Sequence, residues 1–155
     1  MTEKHNLWKP EYALNIDLID EQHQVFFQIC SDLALACEQA RDKPVTVRTI
    51  IKIMFRLRQY AFKHFYTEEE ILARSGYPGI FTQIREHDNF LASVQGLSSS
   101  LEAFGGHFEK AAQEDFLTIA DEVLDHSVIW WEKHIMEVDA HYAQWARKHK
   151  AKTTR

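Results

Sequence analysis

The chain has 155 residues, a length typical of one domain with a single core. Its net charge of −5, without a basic block, argues against a nucleic-acid partner, and with only 5 glycines and 3 prolines the chain favours a mostly helical fold. The N-terminus lacks the apolar core of a signal peptide and no run approaches transmembrane length, so we expect a cytoplasmic protein without membrane contact.

Residues 1–16 contain aromatic side chains but no sustained helical pattern, so we expect an extended arm that lies on the rest of the protein. Asp17 and Asp20 are both plausible N-caps of a first helix, because their carboxylates can accept from free backbone N–H groups. One face of this helix carries a seam at steps of three and four: His23, Phe26, Cys30, Leu33 and Cys37. The two cysteines lie roughly 10 Å apart along a helix, too far for a disulfide, so we expect reduced, buried thiols.

A second helix is predicted from about Thr46 to Arg74, ended by the Gly and Pro of Ser75–Pro78. A third helix opens at Pro78 or Gly79 and runs to Phe104, before Gly105–Gly106 breaks the chain. The fourth helix carries an inner seam that continues to His134, and residues 139–150 form a short polar helix. The members of that seam are Phe116, Ile119, Val123, His126 and Trp130.

Long helices joined by short loops predict an all-α fold, an antiparallel up-down-up-down four-helix bundle with an extended N-terminal arm and a short C-terminal helix. We expect one domain, residues 1–155. It consists of an arm (1–16), a bundle (17–137) and a tail (138–155).

In such a bundle, the starts of the first and third helices lie level with the ends of the second and fourth. One tier therefore collects four histidines and a glutamate: His23, His64, Glu68, His87 and His134. Buried ionisable groups are costly unless they are paired or bind a metal, so this tier predicts a metal centre.

The ligand types suit iron, manganese or zinc. Zinc needs only four ligands, whereas five or six with bridging carboxylates fit two metals better. A ferritin-like scheme is disfavoured, because the chain has no Glu-x-x-His.

From Trp8 to about Asp139 the chain resembles the hemerythrins, specifically the bacterial single-domain kind. The resemblance rests on these stretches taken together: Trp8, Ile19-Asp20-Glu21-Gln22-His23, His64-Phe65 with Glu68-Glu69, Tyr77-Pro78, and Trp130 through His134-Ile135 to Asp139. It implies two non-haem iron ions (Fe2+/Fe3+), oxo- or hydroxo-bridged, that bind dioxygen or a similar small ligand. We expect a monomer.

The resemblance assigns roles to individual residues. His23 and His64 match the ligands of the iron that binds dioxygen, and His87 and His134 match two of the three histidines on the other iron. Glu68 and Asp139 match the carboxylate bridges. The resemblance therefore assigns six residues to the centre: His23, His64, Glu68, His87, His134 and Asp139.

The third histidine of the second iron should lie four residues before His87, where this chain has Gln83. An amide oxygen is a weaker, neutral ligand than an imidazole nitrogen. Three alternatives stay open: Gln83 binds iron weakly, holds a water on it, or leaves a coordination position open.

A second departure is Trp131, which replaces a leucine that usually lines the ligand pocket in the family. Trp131 would fill space left by the missing histidine, narrow the dioxygen pocket, offer its indole N–H to a ligand, or simply pack against a neighbouring helix.

Among the remaining residues, Glu69 is a candidate to hydrogen-bond a metal-binding residue without binding the metal itself, and His126 is expected in the core. We expect solvated side chains at His5, His107, His141 and His149.

Three functions remain open. The first is an oxygen-binding protein, for carriage, storage or sensing, rather than an enzyme. The second is a di-iron oxidase, peroxidase-like or nitric-oxide-handling centre, altered at Gln83. The third is a sensor or interaction module with an impaired site, acting through a separate partner.

Overall fold

The computed structural model describes residues 6–42, 47–101 and 110–153, and the described residues are almost entirely helical. A 3-10 turn, Pro10–Tyr12, precedes five α-helices. These are α1 (Asp17–Asp42), α2 (Val47–Ser75), α3 (Ile80–Ser99), α4 (Lys110–Lys133) and α5 (Ala140–Thr153), and a π-helical segment, His134–Asp139, joins α4 to α5. No strand occurs in these ranges.

The first four helices form the expected bundle, so the predicted all-α class is confirmed. Helices adjacent in the chain pack side by side, and α4 closes the bundle against α1. Each presents an apolar stripe at steps of three and four to the interior, and burial of these stripes supplies most of the helices' stability. The largest fully buried side chains in the described ranges include Phe26, Leu33, Leu57, Phe90, Phe116 and Trp131. No described helix combines the length and apolar character needed to cross a bilayer.

The arm lies on α1 through its aromatic side chains. Tyr12 is 1% exposed and stacks on Phe27, with 5.2 Å between ring centroids, and Trp8 packs edge-on against Tyr12. Asp20 was a candidate N-cap of this helix, but it does not cap it. Its carboxylate accepts from the backbone N–H groups of Leu14 (2.8 Å) and Asn15 (2.9 Å), so it fastens the arm to the first turn of α1.

The stop after α2 is built as the sequence predicts. Gly76 has a φ of +73°, and the N–H groups of Gly76 and Tyr77 bond back to the carbonyls of Ala73 and Leu72. The next helix begins at Ile80 and its α-helical part ends at Ser99, earlier than the expected Phe104. Phe104 and the Gly105–Gly106 break lie outside the described residues.

The C-terminal helix exists, but it continues α4 without a break. Lys133 and Ala140, the residues that flank the π segment, both have right-handed helical backbones. The boundary expected between residues 137 and 138 therefore lies inside one continuous helical rod.

Candidate metal centre

Four histidines and two carboxylates converge in the interior of the bundle at one level. Each of their side chains is at most 3% exposed. α1 contributes one histidine, α2 a histidine and the glutamate, α3 one histidine, and the π segment a histidine and the aspartate, in this order: His23, His64, Glu68, His87, His134 and Asp139. The structure thus brings together the six residues that the sequence predicted.

The histidines form two pairs that point their Nε2 atoms at each other. The distance is 3.2 Å between His23 and His64, and 3.1 Å between His87 and His134. Because α1 and α2 run in opposite directions, the start of one meets the end of the other, and the same holds for α3 and α4.

Both carboxylates lie between the two pairs. Glu68 Oε2 is 3.2 Å from His64 Nε2 and 3.6 Å from His87 Nε2. Asp139 places Oδ1 at 3.1 Å from His134 Nε2 and Oδ2 at 3.4 Å from His23 Nε2. Each carboxylate therefore contacts one histidine of each pair.

The π segment explains how Asp139 reaches the same centre as His134. In a regular α-helix, residues five apart point about 140° away from each other. The wider π turn, with its i→i+5 register, brings positions 134 and 139 to one face. Such π turns are frequent at functional sites.

Three of the histidines have their outer nitrogen bound to an acceptor on a neighbouring helix. His64 Nδ1 donates to Gln22 Oε1 at 2.8 Å and His87 Nδ1 to Glu69 at 2.8 Å, and His134 Nδ1 lies 3.3 Å from Glu86 Oε2. A neutral imidazole carries one N–H, so each Nε2 presents a lone pair to the centre. This is the tautomer that binds a metal, held by the outer contacts that metal-ligating histidines usually have.

The centre therefore contains acceptors facing acceptors. Both oxygens of Glu68 and Oδ2 of Asp139 are buried without a hydrogen-bond donor. Lone pairs and carboxylates at these separations repel one another unless a cation lies between them. Two overlapping ligand sets could each hold a metal ion, His23–His64–Glu68 and Glu68–His87–His134. The residues thus fit two metals that share a carboxylate.

Burial and neighbouring charges set the pKa values of these groups. Burial, with His23 nearby, lowers the pKa of His64 well below its usual range. Burial also lowers the pKa of His87, although Glu69 opposes it. These two imidazoles are therefore neutral at physiological pH, the form that coordinates a metal.

The pKa values of the two carboxylates shift in opposite directions. Burial raises the pKa of Glu68 well above its usual range, and the charge of Asp139 adds to this. Burial would also raise the pKa of Asp139, but His134 and His23 outweigh it and lower that pKa well below its usual range. For His134, burial is outweighed by Asp139 and Glu86, so its pKa is raised.

Gln83 lies at the centre with 0% exposure. Its Nε2 donates to Asp139 Oδ1 at 3.0 Å, and its Oε1 is buried without a donor. The amide thus contacts a carboxylate of the centre in the place where a third imidazole was expected.

Trp131 lies over the first histidine pair. Its ring centroid is 5.7 Å from that of His23 and 5.2 Å from that of His64, and its indole N–H is buried without an acceptor. The face of the indole stacks on Phe26, with 3.5 Å between centroids and 6° between planes.

Sequence reasoning missed Gln22 and Glu86 as supporting residues, and it raised Glu69 only as a candidate. A shared signal marks all three, since each is a polar residue adjacent in sequence to a predicted ligand. On a helix, the neighbour of an inward residue lies at the edge of the interface and reaches the adjoining helix. Trp130 was expected only in the core, yet it stacks on His134 at 4.4 Å.

The other predicted positions lie away from the centre. His126 is half-buried and stacks on Phe90, and His141 and His149 are exposed, while His5 and His107 fall outside the described residues. Cys30 and Cys37 are free and buried, as expected.

The sequence matches the model of a family of cation-binding domains. Residues 14–146 match the model described as "Hemerythrin HHE cation binding domain", which covers most of the chain and all six residues of the centre. The chain belongs to the hemerythrin family.

Curated hemerythrins from distant organisms are similar over nearly their whole length. A bacteriohemerythrin of Clostridium acetobutylicum is 34% identical over 138 residues, which is 88% of this chain and 97% of that protein. A bacteriohemerythrin of Stenotrophomonas maltophilia is 26% identical over 94% of this chain and 89% of its own length. A myohemerythrin of Sipunculus nudus is 23% identical over 88% of this chain and 89% of its own length.

Proposed function

We propose that this protein is a non-haem di-iron protein that binds dioxygen, for carriage, storage or sensing. His23 and His64 bind one iron and His87 and His134 the other, while Glu68 and Asp139 bridge them. The observation that carries the proposal is the convergence of four imidazole Nε2 atoms and two carboxylates, in which both oxygens of Glu68 and Oδ2 of Asp139 are buried without a hydrogen-bond donor. Ligand sets of nitrogen and oxygen without thiolate suit iron, and membership of the hemerythrin family supports both the metal and the ligand.

The chain's own side chains keep this centre ordered and dry. Gln22, Glu69 and Glu86 fix the imidazoles through Nδ1. Phe65 stacks on His87 at 4.0 Å and Trp130 on His134 at 4.4 Å, so aromatic faces exclude water from the ligands. A ferrous pair, when bound, supplies the electrons that dioxygen accepts.

The test is iron content per chain, together with visible spectra of the reduced protein before and after exposure to air. Two irons and a new absorption band that disappears under vacuum are the expected result. A protein that holds no iron after anaerobic loading with Fe2+ would overturn the proposal.

A second candidate function is supported by Gln83. With two imidazoles where three were expected, the iron of His87 and His134 has one nitrogen ligand fewer, which favours oxidase-like, peroxidase-like or nitric-oxide-handling chemistry. Rapid, irreversible oxidation in air without a reversible band would favour this function over oxygen carriage.

A further inference from the structure

We propose that the exchangeable coordination position of this centre lies on the Gln83 side, at the metal held by His87 and His134. The inference rests on the di-iron proposal and reverses what the family resemblance implies, which places small ligands at the metal of His23 and His64. Two features support it, one on each side of the centre.

The side of His23 and His64 is closed by the indole of Trp131. This ring is 1% exposed, stacks on Phe26, and lies nearly parallel to Phe65 at 5.4 Å and 24°. It contacts both imidazoles of the pair, edge-on at His23 and tilted at His64. An indole is far larger than the leucine side chain expected there, and a ring stacked on two others cannot move aside without losing those contacts.

The other side has an amide where an imidazole would close the coordination sphere. Gln83 and His87 are four residues apart on α3, so they share one face of that helix. A carboxylate only accepts hydrogen bonds, so the amino end of Gln83 must face Asp139, at 3.0 Å. The carbonyl Oε1 is thereby turned to a buried position with no donor.

That orphaned oxygen indicates the kind of ligand the position takes. A buried carbonyl oxygen is costly without a donor, and a small protic ligand on the adjacent metal would supply one. Water, hydroxide and hydroperoxide meet this requirement. Coordination by Oε1 itself is the competing arrangement, and the experiment separates the two.

The test uses azide as a probe of whether the position exchanges, because azide displaces a bound water or hydroxide although it donates no hydrogen bond itself. It is titrated by its visible charge-transfer band on the iron-loaded, oxidised full-length protein. The wild type should bind one azide. Gln83→His should lower azide affinity about tenfold or more, because an imidazole occupies the position. Trp131→Leu should keep that azide and add a second binding event on the opened side. Gln95→His, at an exposed position further along α3, and Trp145→Leu on α5 are the matched controls.

Each outcome decides between arrangements. Unchanged azide binding in Gln83→His overturns the inference, as does azide binding lost in Trp131→Leu, which would place the ligand beside the indole N–H. A wild type that binds no azide while Gln83→Ala binds it shows that Oε1 is itself a ligand, and also overturns the inference. If Gln83→His does not hold two irons, the azide titration of Trp131→Leu is the deciding measurement. The absence of a second azide-binding event in that variant would then overturn the inference. Fewer than two irons in the wild type would instead overturn the di-iron proposal, so iron content distinguishes the two failures.

Discussion

The Nε2 atoms of His87 and His134 lie 3.1 Å apart, although the outer nitrogen of each ring already faces a glutamate. Glu69 accepts the N–H of the first ring and Glu86 faces the Nδ1 of the second, so in the neutral rings each Nε2 presents a lone pair to the other. Two lone pairs at that distance are held together by the packing of α3 against α4 and by the stacked rings behind them. The bundle is thus preorganised for a cation, and the predictions below follow from that organisation.

The outer glutamates should tune metal affinity without binding metal themselves. Glu69→Ala and Glu86→Ala remove the acceptors of His87 and His134, so we expect iron affinity to fall about 10- to 100-fold in each variant. Competition with a chelator measures the change. Glu70→Ala is the matched control, because Glu70 pairs at the surface with Arg74. An equal loss of iron affinity in that control would show that the effect comes from the removal of a negative charge and not from the orientation of the imidazoles.

Iron should stabilise the fold through Glu68. A ligand that binds only the folded state adds about 2.7 kcal/mol to the free energy of unfolding at 100 times its Kd. We expect the wild type to show a gain of that order in anaerobic denaturant titrations with and without Fe2+. Glu68→Gln, which removes one of the two carboxylates that contact both histidine pairs, should show a much smaller gain. Equal gains in the two proteins would contradict the bridging role.

The arm should depend on Asp20 while the metal centre does not. Asp20→Ala removes two hydrogen bonds to a charged acceptor, and such bonds contribute about 1.5–3 kcal/mol each, less where solvent reaches them. Denaturant titrations should show a lower free energy of unfolding, with iron content still at two per chain. Glu21→Ala, an exposed neighbour, serves as the control. Loss of iron in Asp20→Ala would mean that the arm helps to shape the centre.

The thiols should be unreactive in the folded protein, and they should make stability fall at high pH. Burial, reinforced by Asp121, raises the pKa of Cys37 from 9.0 to about 11, and burial raises that of Cys30 as well. At pH 8 only about one Cys37 in a thousand is a thiolate, so alkylation should be slow until the chain unfolds. Between pH 9 and pH 11 the unfolded thiol ionises and the folded one does not, so the unfolded state binds fewer protons and stability falls as pH rises.

Denaturant titrations across that range, with the Cys37→Ala variant for comparison, measure the effect. The variant should show a shallower decline in the free energy of unfolding with pH. Fast alkylation of the native protein at pH 8 would contradict the prediction.

The bundle and the convergence of the four histidines with Glu68 were predictable because both depend on spacing along single helices. His64 and Glu68 share a face by their separation of four, and antiparallel helices bring the start of one level with the end of the next. Asp139 was predictable only through family resemblance. A separation of five from His134 points away in a regular α-helix, and the π turn that corrects it has no sequence signal strong enough to predict.

The sequence by itself determined the helices, the tier of histidines and the two departures at Gln83 and Trp131, since these follow from residue type and helical period. Only the tertiary structure decided which contacts those departures make. Trp131 lies over His23 and His64 because α4 packs against α1 and α2 there, and the amino end of Gln83 faces Asp139 because a carboxylate accepts only donors. Side chains from separate helices make these contacts, and the spacing of residues along one helix does not predict how that helix is rotated relative to another.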